Sequence, residues 1–119
     1  MTSNVSVRLM GSVSVLELSG HITLEDGCGA IRDAVQNLIA KGERNVLVNL
    51  SEVNHIDSAG LGELVSSYAA VRNHHGQLKL LDVGGKVHDL LQMTKLYTVF
   101  EVFADEAAAV ESFRQHVVA

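Results

Sequence analysis

At 119 residues and 12.8 kDa the chain holds one domain, too short for a catalytic domain joined to a separate regulatory one. Apolar residues are 47% and charged residues 19%, which excludes a disordered tail, and 9 Lys and Arg against 14 Asp and Glu leave a net charge of -5. The basic residues do not cluster and aromatics are 4% with no Trp, so neither a phosphate-binding face nor a base-stacking platform is expected, and nucleic acid is excluded as a direct partner.

No apolar run approaches the roughly 20 residues of a membrane span, and the opening MTSNVSVRLMG lacks a basic segment followed by an apolar one. The expectation is a protein neither exported nor inserted in a membrane. The single cysteine, Cys28, forms no internal disulfide and builds no zinc site alone, which fits a reducing cytoplasm; a small buried thiol is expected there.

Val5, Val7 and Leu9 alternate with polar residues, Gly11-Ser12 follows, and Val13, Val15 and Leu16 to Leu18 resume, predicting a β-hairpin. From about Glu25 to Lys41, Ile31, Val35, Leu38 and Ile39 fall at helical spacing, with Gly42 as the stop. VLVNL at 46–50 reads as a central strand covered on both faces, and 51–58 as the loop after it. A helix beginning at Asp57 or Ser58 carries the stripe Leu61, Leu64, Val65 and Tyr68 and ends at Gly76. LKLL at 78–81 is a strand, Gly84-Gly85 a turn, Val87 to Met93 a short helix and Val99 to Phe103 another strand. A final helix starts near Asp105, with Asp105 and Glu106 suited to the helix dipole and Val110, Phe113 and Val117 as its apolar stripe.

A hairpin followed by alternating helices and strands predicts a single α/β domain over 1–119: a mixed, mostly parallel sheet with about four helices packed on it. Sites in such folds gather in loops at the carboxyl ends of the strands, which here are 19–26, 51–58 and 82–86.

Of these, 51–58 carries the most information. It delivers Asp57-Ser58 to a helix start with Gly60 and Gly62 in the first turns, and each helical glycine costs about 1 kcal/mol relative to alanine. Close approach by another backbone, the protein's own or a partner's, would offset that cost. Asp57 or Ser58 serves as an N-cap on the plainer reading; on the functional one, Ser58 is a phosphoacceptor at the positive end of a helix.

Other constellations are weaker. Ser58, His55 and Asp57 have the residue types of a hydrolase triad, but no G-x-S-x-G elbow is present. Gly84-Gly85-Lys86 fails the phosphate-loop spacing, with Val87 where a hydroxyl residue is needed. His21, His55, His74, His75, His88 and His116 show no metal-ligand spacing, so no metal and no cofactor are expected.

Ile56-Asp57-Ser58-Ala59-Gly60-Leu61-Gly62 resembles the signature loop of STAS domains, specifically that of bacterial anti-sigma-factor antagonists, D-S-x-G-[LIT]. The resemblance extends to Gly20 after the hairpin, to VLVNLSEV before the motif, and to LKLLDVGGKVHDLLQMTKLYTVFEVF and a closing helix after it. It implies a binding protein rather than an enzyme. The unphosphorylated form would bind an anti-sigma factor with serine kinase activity and free a sigma factor; phosphorylation of Ser58 would break that complex, and a serine phosphatase would restore it. Asp57, Ser58, Ala59, Gly60, Leu61 and Gly62, with Gly20 and Thr23 from the neighbouring loop, would form the partner-binding surface. One departure stands out: many antagonists carry Asp after Gly-x-[LIV], whereas Gly20-His21-Ile22 is followed by Thr23, with Glu25 and Asp26 just beyond. The residues also leave two other functions open, a STAS adaptor subunit of a transporter or stress-signalling assembly that is not phosphorylated, and a small-ligand or nucleotide module using the loops around Gly20 and Gly84.

Overall fold

The computed structural model describes residues 4–24 and 28–114. Its sheet has five strands in the order β1 (Asn4–Met10), β2 (Val13–Ile22), β3 (Asn45–Ile56), β4 (Gln77–Leu81) and β5 (Val102–Phe103). β1 and β2 are the antiparallel hairpin, turning at Gly11 with φ +63, and every other pairing is parallel. The mixed, mostly parallel α/β sheet is the expected one.

Three helices, α1 (Cys28–Ala40), α2 (Ser58–Asn73) and α3 (Gly85–Thr94), bridge successive parallel strands on one face. Leu16, Leu18, Val46, Val48, Leu50, Leu78 and Leu80 meet Ile31 and Val35 of α1, Leu61 and Leu64 of α2 and Leu91 of α3 there. The last helix, α4 (Glu106–Arg114), lies on the opposite face, where Ala109 and Phe113 close over Val13, Val15, Leu47 and Leu81. Coverage from both sides is why VLVNL has no polar alternation.

Several boundaries differ from the sequence reading, each for a local reason. β3 does not stop at Leu50: 51–56, expected as a loop, stays in the sheet because β2 continues beside it, pairing Glu52 with Ser19, His55 with His21 and Ile56 with Ile22. Two register shifts in this stretch break the alternation that would have revealed a strand. The other half of the expected loop 19–26 is likewise strand through Ile22, with Gly20 at φ +81 beside one of those shifts.

α1 ends as expected at Gly42, where Gly42 N–H donates to Ile39 O and Glu43 N–H to Leu38 O, the paired bonds of a Schellman cap. α2 closes the same way but uses His75, φ +65, as its left-handed residue. Gly76 is needed for space instead: a Cβ there would lie 2.3 Å from the Arg44 carbonyl oxygen. The strand expected over Val99–Phe103 shrinks to Val102–Phe103, since Leu96–Thr98 form a 3₁₀ turn and Phe100, bonded back to Leu96 O, plugs the helix-side core. α3 runs one to two residues further at each end than Val87–Met93, with Gly84 as its N-cap. Glu25 and Asp26, the stripe member Val117 and His116 fall outside the described residues, as does the Cys28 side chain.

Candidate functional site

β2 and β3 finish side by side at Ile22 and Ile56, and the backbone N–H of Asp57 donates to Ile22 O at 3.3 Å. The chain then turns directly into α2. Asp57, in an extended conformation (φ -110), is the N-cap, and its Oδ1 accepts from Gly60 N–H at 2.9 Å. Its other carboxylate oxygen, Oδ2, accepts from Leu24 N–H at 3.1 Å, across the gap to the loop after β2. One carboxylate thereby fastens the helix start to the neighbouring loop. The N–H donors of Gly60 and then Leu24 hold the Asp57 carboxyl below its ordinary range, because each stabilises the ionised form.

Since Asp57 caps the helix, Ser58 is left at the first helical position, exposed, at the positive end of the helix dipole. The two glycines differ in kind. Gly60 is buried, and a Cβ on it would lie 2.1 Å from Ile22 O and 2.9 Å from Ile56 Cγ1, so the backbone that approaches it is the protein's own. Gly62 is exposed with nothing within 4 Å of its would-be Cβ, and no internal packing offsets its cost. Ser58 and Gly62, four residues apart, share one face of α2.

Of the residues expected to meet a partner, Ser58 and Gly62 are exposed, and Asp57, Ala59 and Thr23 are half-buried. Gly60 and Leu61 face the core, with Leu61 packed in the helix-side cluster. Gly20 sits inside β2, opposite Val53, and shapes the strand end. The sequence reading missed Leu24, whose side chain is 76% exposed while its backbone is tied to Asp57. A large apolar residue between Thr23 and Glu25 in an otherwise polar stretch was the signal for it. The reading also missed the packing of His21 against His55, whose rings lie edge to face at 5.8 Å on the adjoining sheet face.

The hydrolase arrangement is not assembled. Both Asp57 oxygens are committed to backbone N–H groups, and the His55 ring lies against His21. Among the described residues no group of three or more His, Cys, Asp or Glu is placed to hold a metal ion, and no helix is long and apolar enough to cross a membrane. A depression of about 360 Å³ opens beside α3, lined by Val53, Asn54, Gly84, Gly85 and Val87; Gly20 is not part of its wall.

The contrast between the two glycines is measurable. Gly60→Ala should destabilise the fold by about 1–3 kcal/mol in urea unfolding through overpacking against β2, whereas Gly62→Ala should stabilise it by about 0.5–1 kcal/mol. Equal effects at the two positions would contradict the packing described for them.

Asp57 carries a pH signature. Its native carboxyl titrates below the unfolded value of about 3.9, so the folded state binds fewer protons there and stability rises with pH across that window. The contribution is present above about pH 4 and is lost as pH falls through the native value. Chemical denaturation between about pH 2 and 5 should show a shallower fall for Asp57→Asn than for the parent; identical profiles would contradict the role given to this carboxylate.

The STAS domain family model matches residues 4–109. A relative from Paenibacillus polymyxa, named as an anti-sigma F factor antagonist, is 27% identical over 110 residues, which is 92% of this chain and 93% of that protein. The structure of an anti-sigma factor antagonist from Mycobacterium paratuberculosis superimposes with a TM-score of 0.84 at 22% identity, covering 95% of each chain. SpoIIAA, a Bacillus cell fate determinant described in its phosphorylated form, superimposes with a TM-score of 0.72 at 18% identity, covering 92% of this chain and 98% of that one. A family match running from the first described strand into α4, over a sheet and helix order shared with these structures, means that the chain belongs to the STAS domain family.

Proposed function

We propose that this protein is an anti-sigma-factor antagonist, a binding protein rather than an enzyme, that acts in the cytoplasm as a phosphorylation switch. Unphosphorylated, it binds an anti-sigma factor with serine kinase activity and so releases a sigma factor to direct transcription. Phosphorylation of Ser58 ends the complex, and a serine phosphatase resets it. The observation that carries this reading is the division of labour at the start of α2, where Asp57 performs the capping and leaves the adjacent Ser58 hydroxyl exposed. The relatives named as antagonists support it.

The mechanism follows from charge. A phosphate adds about -1.5 to -2 to a rim that already holds the ionised Asp57. At the helix N-terminus that charge is tolerated by the fold, since the helix dipole favours an anion there. In an interface it meets repulsion and loses hydration. A penalty of about 4 kcal/mol weakens binding roughly a thousandfold, enough for a switch. Around Ser58, the exposed Leu24 supplies an apolar anchor and Gly62 a site where the partner's backbone can approach closely.

Incubation with the cognate kinase and ATP should place one phosphate on Ser58 and none on Ser67, which is 4% exposed, or on Ser66, two turns into α2. Ser58→Ala should bind the kinase as the parent does and unfold within about 0.5 kcal/mol of it, because the cap is Asp57. Ser58→Glu should stay folded and lose affinity. Intact mass, peptide mapping and calorimetry read these outcomes. Phosphate confined to Ser66 or Ser67, or Ser58→Glu binding as tightly as the parent, would overturn the proposal, and a chain that took up no phosphate would point to the adaptor reading.

A further inference from the structure

The two edges of the sheet, β1 and β5, are guarded very differently. β5 is two residues long, too short to template another strand. β1 runs for seven residues, Asn4–Met10, in unbroken register with β2, and it contains no proline, lysine or acidic residue. Natural proteins blunt long edges with such residues or with bulges, and β1 carries none of them. Its one charge, Arg8, is folded onto the α4 face of its own sheet, with Nε donating to Glu17 at 3.0 Å and the guanidinium forking onto Glu106. On the other face the row Val5, Val7, Leu9 runs along the edge, with Val7 45% and Leu9 65% exposed.

We propose that β1 is the interface of a homodimer, in which it pairs antiparallel with β1 of a second copy about a two-fold axis at Val7. The second copy is the occupant that the edge itself complements. A two-fold contact must match its own reverse, and with Val7 opposite its mate, Val5, half-buried against the helix-side core, falls opposite the exposed Leu9, so each apolar residue of the row gains an apolar cross-strand neighbour on the same face. Charge selects this register. Centring on Arg8 would set two guanidiniums directly across from one another, a destabilising cross-strand pair, whereas centring on Val7 sets Arg8 opposite Ser6. The chain's net charge is -5, yet β1 offers no carboxylate to oppose another copy; a charged peptide would find Arg8 already engaged by Glu17 and Glu106.

The geometry has a consequence for binding. The Ser58 rim lies at the carboxyl ends of β2 and β3, beyond the end of β1, and a two-fold axis through Val7 directs the rims of the two copies to opposite ends of a continuous sheet. Both remain open, so the dimer presents two rims.

Sedimentation equilibrium of the full chain over low to high micromolar concentration tests this. The parent should approach twice the 12.8 kDa chain mass. Val7→Lys, which sets two ammonium groups across the axis, should stay at the chain mass, and Val102→Lys, on β5, should behave as the parent. In a Cys28→Ser background under a mild thiol oxidant, Val7→Cys should cross-link to a dimer, while Leu9→Cys, displaced from its mate by four residues along the strand, should not. That pair of variants decides the matter even if Val7→Lys fails to fold. A parent at the chain mass throughout the range, a dimer dissociated by Val102→Lys instead, or stronger cross-linking at Leu9→Cys than at Val7→Cys would overturn the proposal.

Discussion

The Asp57 carboxylate is the point on which the functional end of the molecule depends. One oxygen caps α2 through Gly60 N–H and the other holds Leu24 N–H, while the Asp57 backbone donates to Ile22. The end of β2 and the residue after it, more than thirty positions earlier in the chain, are thereby tied by one residue to the junction between β3 and the first turn of α2. The junction is so tight that a Cβ on Gly60 would collide with the Ile22 carbonyl unless the backbone shifted. Because Asp57 takes the cap, Ser58 carries no structural duty in that turn, and a group that carries none can change its charge without unfolding the helix it begins.

Below this rim the sheet supplies rigidity in a way that does not involve the site. The helix-side core is continuous from α1 through α3, and the opposite face is closed by α4. α4 is positioned by charge as well as by packing. Arg8 on β1 holds Glu106 at its start and pushes that carboxyl below the usual range, Glu17 links Arg8 to Asn49, and the buried Lys79 donates to Ser112 at 2.9 Å beneath the Phe113 ring. Burial pushes the Lys79 ammonium down from its ordinary value, partly offset by Glu101. These contacts lie on the strands and on α4, away from the Asp57 junction, and a phosphate placed on Ser58 would touch none of them.

The fold class was legible because its signals are local and redundant: the period of two in NVSVRL, the unbroken VLVNL, the helical stripe of α2 and the Gly76 that follows it. The signature at Asp57-Ser58 was equally plain, although sequence alone left open which of the two was the cap; only the path of the chain in the fold assigns it to Asp57. What escaped depends on partners far away in sequence. The stretch 51–56 is polar and irregular, and it is strand only because β2 runs beside it through two register shifts. Nothing in LKLL signals that Lys79 is buried; it is so because α4, more than twenty-five positions later, returns to cover that face. Leu24 could be seen as an odd apolar residue but not as the neighbour of Asp57, since no pattern within the chain encodes that 3.1 Å bond.

The central claim is that phosphate at Ser58 changes the charge of the rim and not the shape of the domain. The most direct measurement is a comparison of backbone amide NMR spectra of the unphosphorylated and the stoichiometrically Ser58-phosphorylated protein. The account predicts shifts confined to the Asp57 junction, at Thr23, Leu24 and residues 57–62, with the Gly60 amide still bonded and the amides of β3, β4 and α4 unmoved. Displacement spread through α3, α4 or the central strands, or loss of the Gly60 bond, would show that the switch works through the fold and contradict the account.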